Sequence, residues 1–183
     1  MKKRFDMTLY KGMDINKDLL VSFHITFDTD GQYQTIQQKP SGVSLRPSFA
    51  LSISEGYQKP RMFCPSNSWF PFVNLLSKSI KLISDNIYSI FPSIGKISWD
   101  DVDKRELERF QTEKCMYING FSIIPIVYTV SYGESFPGIR ITTNKNETVE
   151  IPFEDAIIIS GMLSNIEPFS LSIECLKILM SNN

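Results

Sequence analysis

The stretch from Phe49 to Leu76 reads Phe-Ala-Leu-Ser-Ile-Ser-Glu-Gly-Tyr-Gln-Lys-Pro-Arg-Met-Phe-Cys-Pro-Ser-Asn-Ser-Trp-Phe-Pro-Phe-Val-Asn-Leu-Leu. Its grammar is strand, short loop, strand, proline corner, helix. Leu51 and Ile53 alternate with serines, the period of a half-buried strand. After Pro65 the spacing changes. Trp69, Phe72, Val73, Leu76, Ile80, Ile83 and Ile87 fall on one face of a helix of about six turns. Ser66 or Asn67 is a suitable start, and Pro92 and Gly95 end it.

The same grammar recurs from Phe136 to Leu163. Leu51 and Ile53 match Ile139 and Ile141 at an offset of 88. Met62, Cys64, Pro65 and Leu76 match Val149, Ile151, Pro152 and Leu163 at an offset of 87. Upstream, Leu9-Tyr10-Lys11-Gly12 has an echo in Tyr117-Ile118-Asn119-Gly120. One β-rich, helix-ended unit used twice is therefore expected. The fold class is α+β: two β-β-β-β-α units forming a pseudo-dimer within one chain, antiparallel sheets with helices packed between them. Residues 1–97 form the first unit, 98–115 an acidic helical connector and 116–183 the second unit.

Outside the quoted stretch, residues 1–6 read as a frayed basic arm. Leu19, Val21, Phe23, Ile25 and Phe27 alternate strictly and mark a strand. Asp28-Thr29-Asp30-Gly31 turns it, and Gln32 to Gln38 reads as the returning strand. Ser98 with Asp101 resembles a capping box and predicts the connector's helix start. Strands follow at 116–118, 121–132, 139–142 and 149–151, with a hairpin over Asn144-Lys145-Asn146. Phe153, Ala156, Ile159, Leu163 and Ile166 predict a helix, with Pro168 breaking it. Phe169 to Met180 fits a last helix or an edge strand, and the match between units favours helix.

The chain has 183 residues, 42% hydrophobic and 21% charged, enough for a sizeable core. Net charge is -1, so no overall field draws it to a polyanion. The charge is unevenly placed. The first 97 residues carry 12 basic and 7 acidic groups; the rest carry 7 basic and 13 acidic. A polyanion would meet the first half.

No apolar stretch follows the basic Met1-Lys2-Lys3-Arg4, so no secretory signal is expected, and no apolar run is long enough to span a bilayer. Three widely spaced cysteines, Cys64, Cys115 and Cys175, argue for a reducing, intracellular compartment. Together with one histidine, His24, they make no zinc pattern. There is no Gly-rich phosphate loop and no nucleophile elbow. The pairs Asp28/Asp30, Asp100/Asp101 and Glu154/Asp155 sit at a turn and at helix starts, where acids serve structure. No enzyme, cofactor or metal is expected.

What remains is a sheet face carrying aromatic and basic groups. Such a face suits single-stranded nucleic acid, with bases stacked on rings and Lys or Arg following the phosphates. The order of elements from Leu9-Tyr10-Lys11-Gly12, through Phe49-Ala-Leu-Ser-Ile, to Pro65 and the aromatic-rich helix at 69–83 resembles the Whirly family of single-stranded-DNA-binding proteins and the related transcriptional positive-cofactor fold. The family's lysine-glycine-lysine motif maps onto Lys11-Gly12, with Met13 in place of the second lysine. The resemblance implies paired sheets that hold single-stranded DNA or RNA. The residues it singles out are Tyr10, Lys11, Tyr33, Lys39, Arg46, Lys59 and Arg61, with Tyr128, Tyr132 and Arg140 in the second unit. The alternative is a protein-interaction or assembly module, with self-association or a protein partner engaged through the acidic second half.

Overall fold

The computed structural model describes residues 2–13, 15–16, 18–28, 48–55, 62–130 and 132–181. The first unit contains strands β1 (Lys2–Lys11), β2 (Leu19–Asp28), β3 (Ser48–Glu55) and β4 (Met62–Pro65), then helix α1 (Trp69–Ile90). Helix α2 (Lys104–Glu113) leads to the second unit. Its strands are β5 (Met116–Ile118), β6 (Phe121–Thr129), β7 (Ser135–Thr143) and β8 (Thr148–Pro152), followed by α3 (Phe153–Ser164) and α4 (Pro168–Ser181). Each sheet is an antiparallel meander, in the order β1-β2-β3-β4 and β5-β6-β7-β8. The α+β class and the two four-stranded sheets are as the sequence pattern predicts.

The matched positions are the core. Leu51, Ile53, Ile139 and Ile141 are fully buried, and so are Met62, Cys64 and Val149. Ile151, Leu76 and Leu163 retain 1% exposure. The offset of 87 extends further into the helices: Trp69 corresponds to Ala156 and Phe72 to Ile159, all buried. These side chains join one continuous cluster with Leu19, Val21, Phe23 and Ile25 of β2. Trp69 stands edge-on to Phe23 and Phe49, at 5.7 and 6.0 Å between ring centres. One turn on, Phe72 lies against Phe121 of β6 at 5.1 Å. Helix α1 thus belongs to the first unit by sequence but packs on both sheets.

The upstream echo is offset by two residues. Lys11 pairs with Leu20, which pairs with Ser54; Tyr117 pairs with Ser122, which pairs with Thr142. Ser54 and Thr142 are related by the offset of 88, so Lys11 corresponds to Tyr117 and not to Asn119. The cause is the turn. Asn119 and Gly120 have φ of 48° and 83°, the two left-handed residues of a tight hairpin. The first unit uses a longer loop, closed by Gly12 N–H donating to the Leu19 carbonyl at 2.7 Å. A Cβ at Gly12 would fall 1.8 Å from the Asn16 carbonyl oxygen.

Two further expectations change. Residues 2–6 are not a frayed arm but the first half of β1, paired from Lys2↔Asp28 onward, because the long β2 needs an edge partner. Ser98 starts only a short 3₁₀ turn. The cap of α2 is Asp103, whose Oδ1 accepts from the backbone N–H of Arg105 and Glu106 at 3.0 Å. The segment from Pro168 is helical, in agreement with the preferred reading, and Phe169 stacks edge-on with Phe49. The strand expected at 32–38 lies outside the described residues.

Pro125 sits within β6 without harm. β5 pairs only with residues 121–123, so β6 is an edge at Pro125 and no ladder N–H is needed there. Gln111 of α2 takes the Pro125 carbonyl at 2.7 Å and fastens the connector to that edge.

A shared cluster makes the two units one cooperative structure. Leu76→Ala and Leu163→Ala should each cost about 2–5 kcal/mol. Urea denaturation followed by circular dichroism should show a single transition moved by either change. Two separable transitions, each moved by one substitution only, would contradict the shared core.

Candidate nucleic-acid interface

Strand alternation sends one row of each sheet into the core and the next row away from it. In the second sheet, an outward row runs Tyr117, Ser122, Thr142 and Thr148 across four strands. Tyr117 is 74% exposed. The adjacent row is Ile124, Arg140 and Glu150. In the first sheet the corresponding row begins with exposed Lys11, then passes to half-buried Leu20 and buried Ser54. The two units therefore place a cation and an aromatic ring at the same outward position of their edge strands.

Of the residues singled out from the sequence, Tyr33, Lys39, Arg46, Lys59 and Arg61 lie outside the described residues. Lys11 and Tyr132 are exposed, Tyr132 in the turn after β6. Arg140 is exposed, but its Nε and Nη2 both donate to Glu150 Oε1, at 2.9 and 2.7 Å. Tyr128 is buried, lying beside Gly138, where a Cβ would come within 2.7 Å of its own.

Tyr10 has a different position from the outward one expected of it. The β1–β2 register shifts between Thr8 and Tyr10, with Leu9 as the extra residue of a β-bulge. Leu9 and Tyr10 consequently both pack against the core. The Tyr10 hydroxyl donates to Asp155 Oδ1 in the first turn of α3. The backbone N–H of Met13 donates to the same oxygen at 3.1 Å. Burial, then the hydrogen bond and charge of Asp155, push the Tyr10 pKa well up.

Asp155 is only 1% exposed, and its Oδ2 has no hydrogen-bond partner among the described residues. Sequence reasoning treated it as a helix-start acid. It stands four residues before Ile159, on the buried face, and that spacing was the signal for its inward position. Tyr117 was also missed, because alternation in a three-residue strand is too short to read.

His24 bridges two neighbouring strands. Its Nδ1 is 2.6 Å from Asp6 Oδ1 on β1, and its Nε2 is 2.6 Å from Ser52 Oγ on β3. A carboxylate only accepts, so Nδ1 donates to Asp6 and Nε2 accepts the Ser52 hydroxyl. The residue types are those of a hydrolytic triad, but the exposure is inverted. Ser52 is 2% exposed, whereas the Asp6 side chain is 54% exposed. Ser52 also sits mid-strand, paired with both β2 and β4, so its own backbone is engaged in the ladder rather than free to hold an oxyanion. The arrangement ties three strands together.

The cysteines are poor nucleophiles. Burial pushes the Cys64 thiol up to about 12, and also raises Cys115 and Cys175. Among the described residues, no group of three or more His, Cys, Asp or Glu could hold a metal ion. No single helix among them is long and apolar enough to cross a membrane. No protein-family model matches the sequence, and no curated protein matches it.

Because the Tyr10 pKa is higher in the folded state, the neutral phenol contributes stability below the ordinary tyrosine value of about 10. That contribution is lost as pH rises above it. Urea denaturation of wild type and Tyr10→Phe should therefore show a stability gap that is constant below about pH 9 and narrows above about pH 10. A gap that stays constant across this range would contradict the buried pairing with Asp155.

Proposed function

We propose that this protein binds single-stranded nucleic acid, DNA in preference, in a sequence-tolerant manner across the outward faces of its two sheets. The observation that carries the reading is the equivalence of Lys11 and Tyr117, exposed at the same outward place in each unit. A ring at that place stacks a base, at about 1–3 kcal/mol, and a lysine neutralises a phosphate. Further support comes from the two meander sheets with helices between them, the arrangement that the resemblance to the Whirly family implies. The face is sequence-tolerant because every base has a stacking surface, while Ser122, Thr142 and Thr148 offer only small hydroxyls.

The second reading is a protein partner of basic character. It rests on Asp100, Asp101, Asp103, Glu108 and Glu113, all exposed on and around α2.

Fluorescence anisotropy with a labelled oligo-dT of about 30 nucleotides separates the two. Binding should weaken steeply between about 50 and about 200 mM salt. Tyr117→Ala should cost about 1–3 kcal/mol, and Lys11→Glu should reduce the salt slope by about one unit or more. Absence of binding at the lower salt would transfer the reading to the protein partner.

A further inference from the structure

A groove of about 610 Å³ opens between α1 and the β5–β6 turn, and nothing described so far uses it. Phe70, Val73 and Ile118 supply its apolar surface; Asn74, Ser77 and Asn119 supply polar groups. Phe70 is 56% exposed, an unusual cost for a ring at the start of a long core helix. It is exposed because α1 packs through Trp69 and Phe72, which leaves the next face of the turn outward.

We infer that this groove binds a nucleobase, as the end of the path that a single strand follows over the second sheet; the inference rests on the reading proposed above. Three observations select a base over other occupants. The groove is open to solvent and roomy enough to admit a nucleoside-sized group from the side. The lining has an aromatic ring for stacking and two carboxamides, each with a donor and an acceptor, that match a base edge; Asn74 and Asn119 make no side-chain hydrogen bond within the described residues. Among the described residues the lining contains no charged side chain, which suits a neutral base and not a phosphate.

The charges lie where phosphates would run. Phe70, Asn74, Ser77 and Lys81 form one stripe along α1, with Lys78 beside it, and both lysines are exposed. Asp85, one turn on, ends the cationic run. At the other side the groove is bounded by β5, the edge strand whose outward face carries Tyr117. Ile118 and Tyr117 are neighbours on opposite faces of that strand. A strand stacked on Tyr117 therefore needs only to cross one edge to place its next unstacked base beside Phe70.

The test uses the full chain with an oligo-dT of about 30 nucleotides carrying iododeoxyuridine for photocrosslinking. Crosslinked peptides should include Phe70 as well as Tyr117. Phe70→Ala should weaken binding roughly tenfold, with the salt slope unchanged, because a ring and not a charge is lost. Binding with no crosslink at Phe70 and unchanged affinity for Phe70→Ala would overturn the inference while leaving the proposed function standing. If the oligonucleotide fails to bind at all, the proposed function falls, and the neutral nucleoside deoxythymidine then decides the groove alone. Shifts of the Asn74 and Asn119 side-chain amide signals in its NMR titration would support the base site; their absence would overturn it. A second copy of the chain as the occupant would appear in sedimentation as a dimer abolished by Phe70→Ala with no nucleotide response, and this too would overturn it.

Discussion

The contact between Phe72 and Phe121 joins the two halves of the molecule. Each sheet buries an apolar face, and both faces join one cluster through α1. Trp69 closes the first sheet over Phe23 and Phe49, and Phe72, less than one turn later, reaches the second. Their burial removes two large rings from water, and each ring pair adds about 0.5–1.5 kcal/mol beyond the area term. A helix shared in this way leaves neither unit a core to itself.

The bulge at Leu9 is the second constraint. A single extra residue moves Tyr10 from the outward row to the inward side. There its hydroxyl meets Asp155, a carboxylate that the first turn of α3 would otherwise bury with fewer partners. The pairing links the first strand of one unit to the helix of the other, across 145 residues of sequence. It exchanges one candidate stacking ring for one interdomain clasp. Asp6, His24 and Ser52 show a similar outcome on a smaller scale: residue types associated with catalysis are used to hold adjacent strands in register.

Much of the fold was legible because burial follows period. Leu51 with Ile139 and Leu76 with Leu163 announced the repeat, since an inward position must stay apolar whichever unit it occupies. The candidate site was less legible. Tyr128 satisfies the same aromatic, strand-forming criteria as Tyr117, yet the glycine at 138 lets it lie buried while Tyr117 stands clear. Arg140 reads as a free cation until the β7–β8 register sets Glu150 beside it. Outward rows carry weak sequence signals because solvent tolerates most side chains.

By itself, then, the sequence determined the α+β class, the strand–strand–helix grammar used twice, the buried faces of α1 and α3 and the uneven charge of the two halves. These follow from local propensity and from the periods of strand and helix, which any short window displays. Tertiary structure alone decided that α1 spans both sheets, that Lys11 and Tyr117 are equivalent, and that Tyr10 turns inward onto Asp155. Each of those depends on a register, and register is set by a bulge, a turn length or a partner distant in the chain, none of which leaves a period to read.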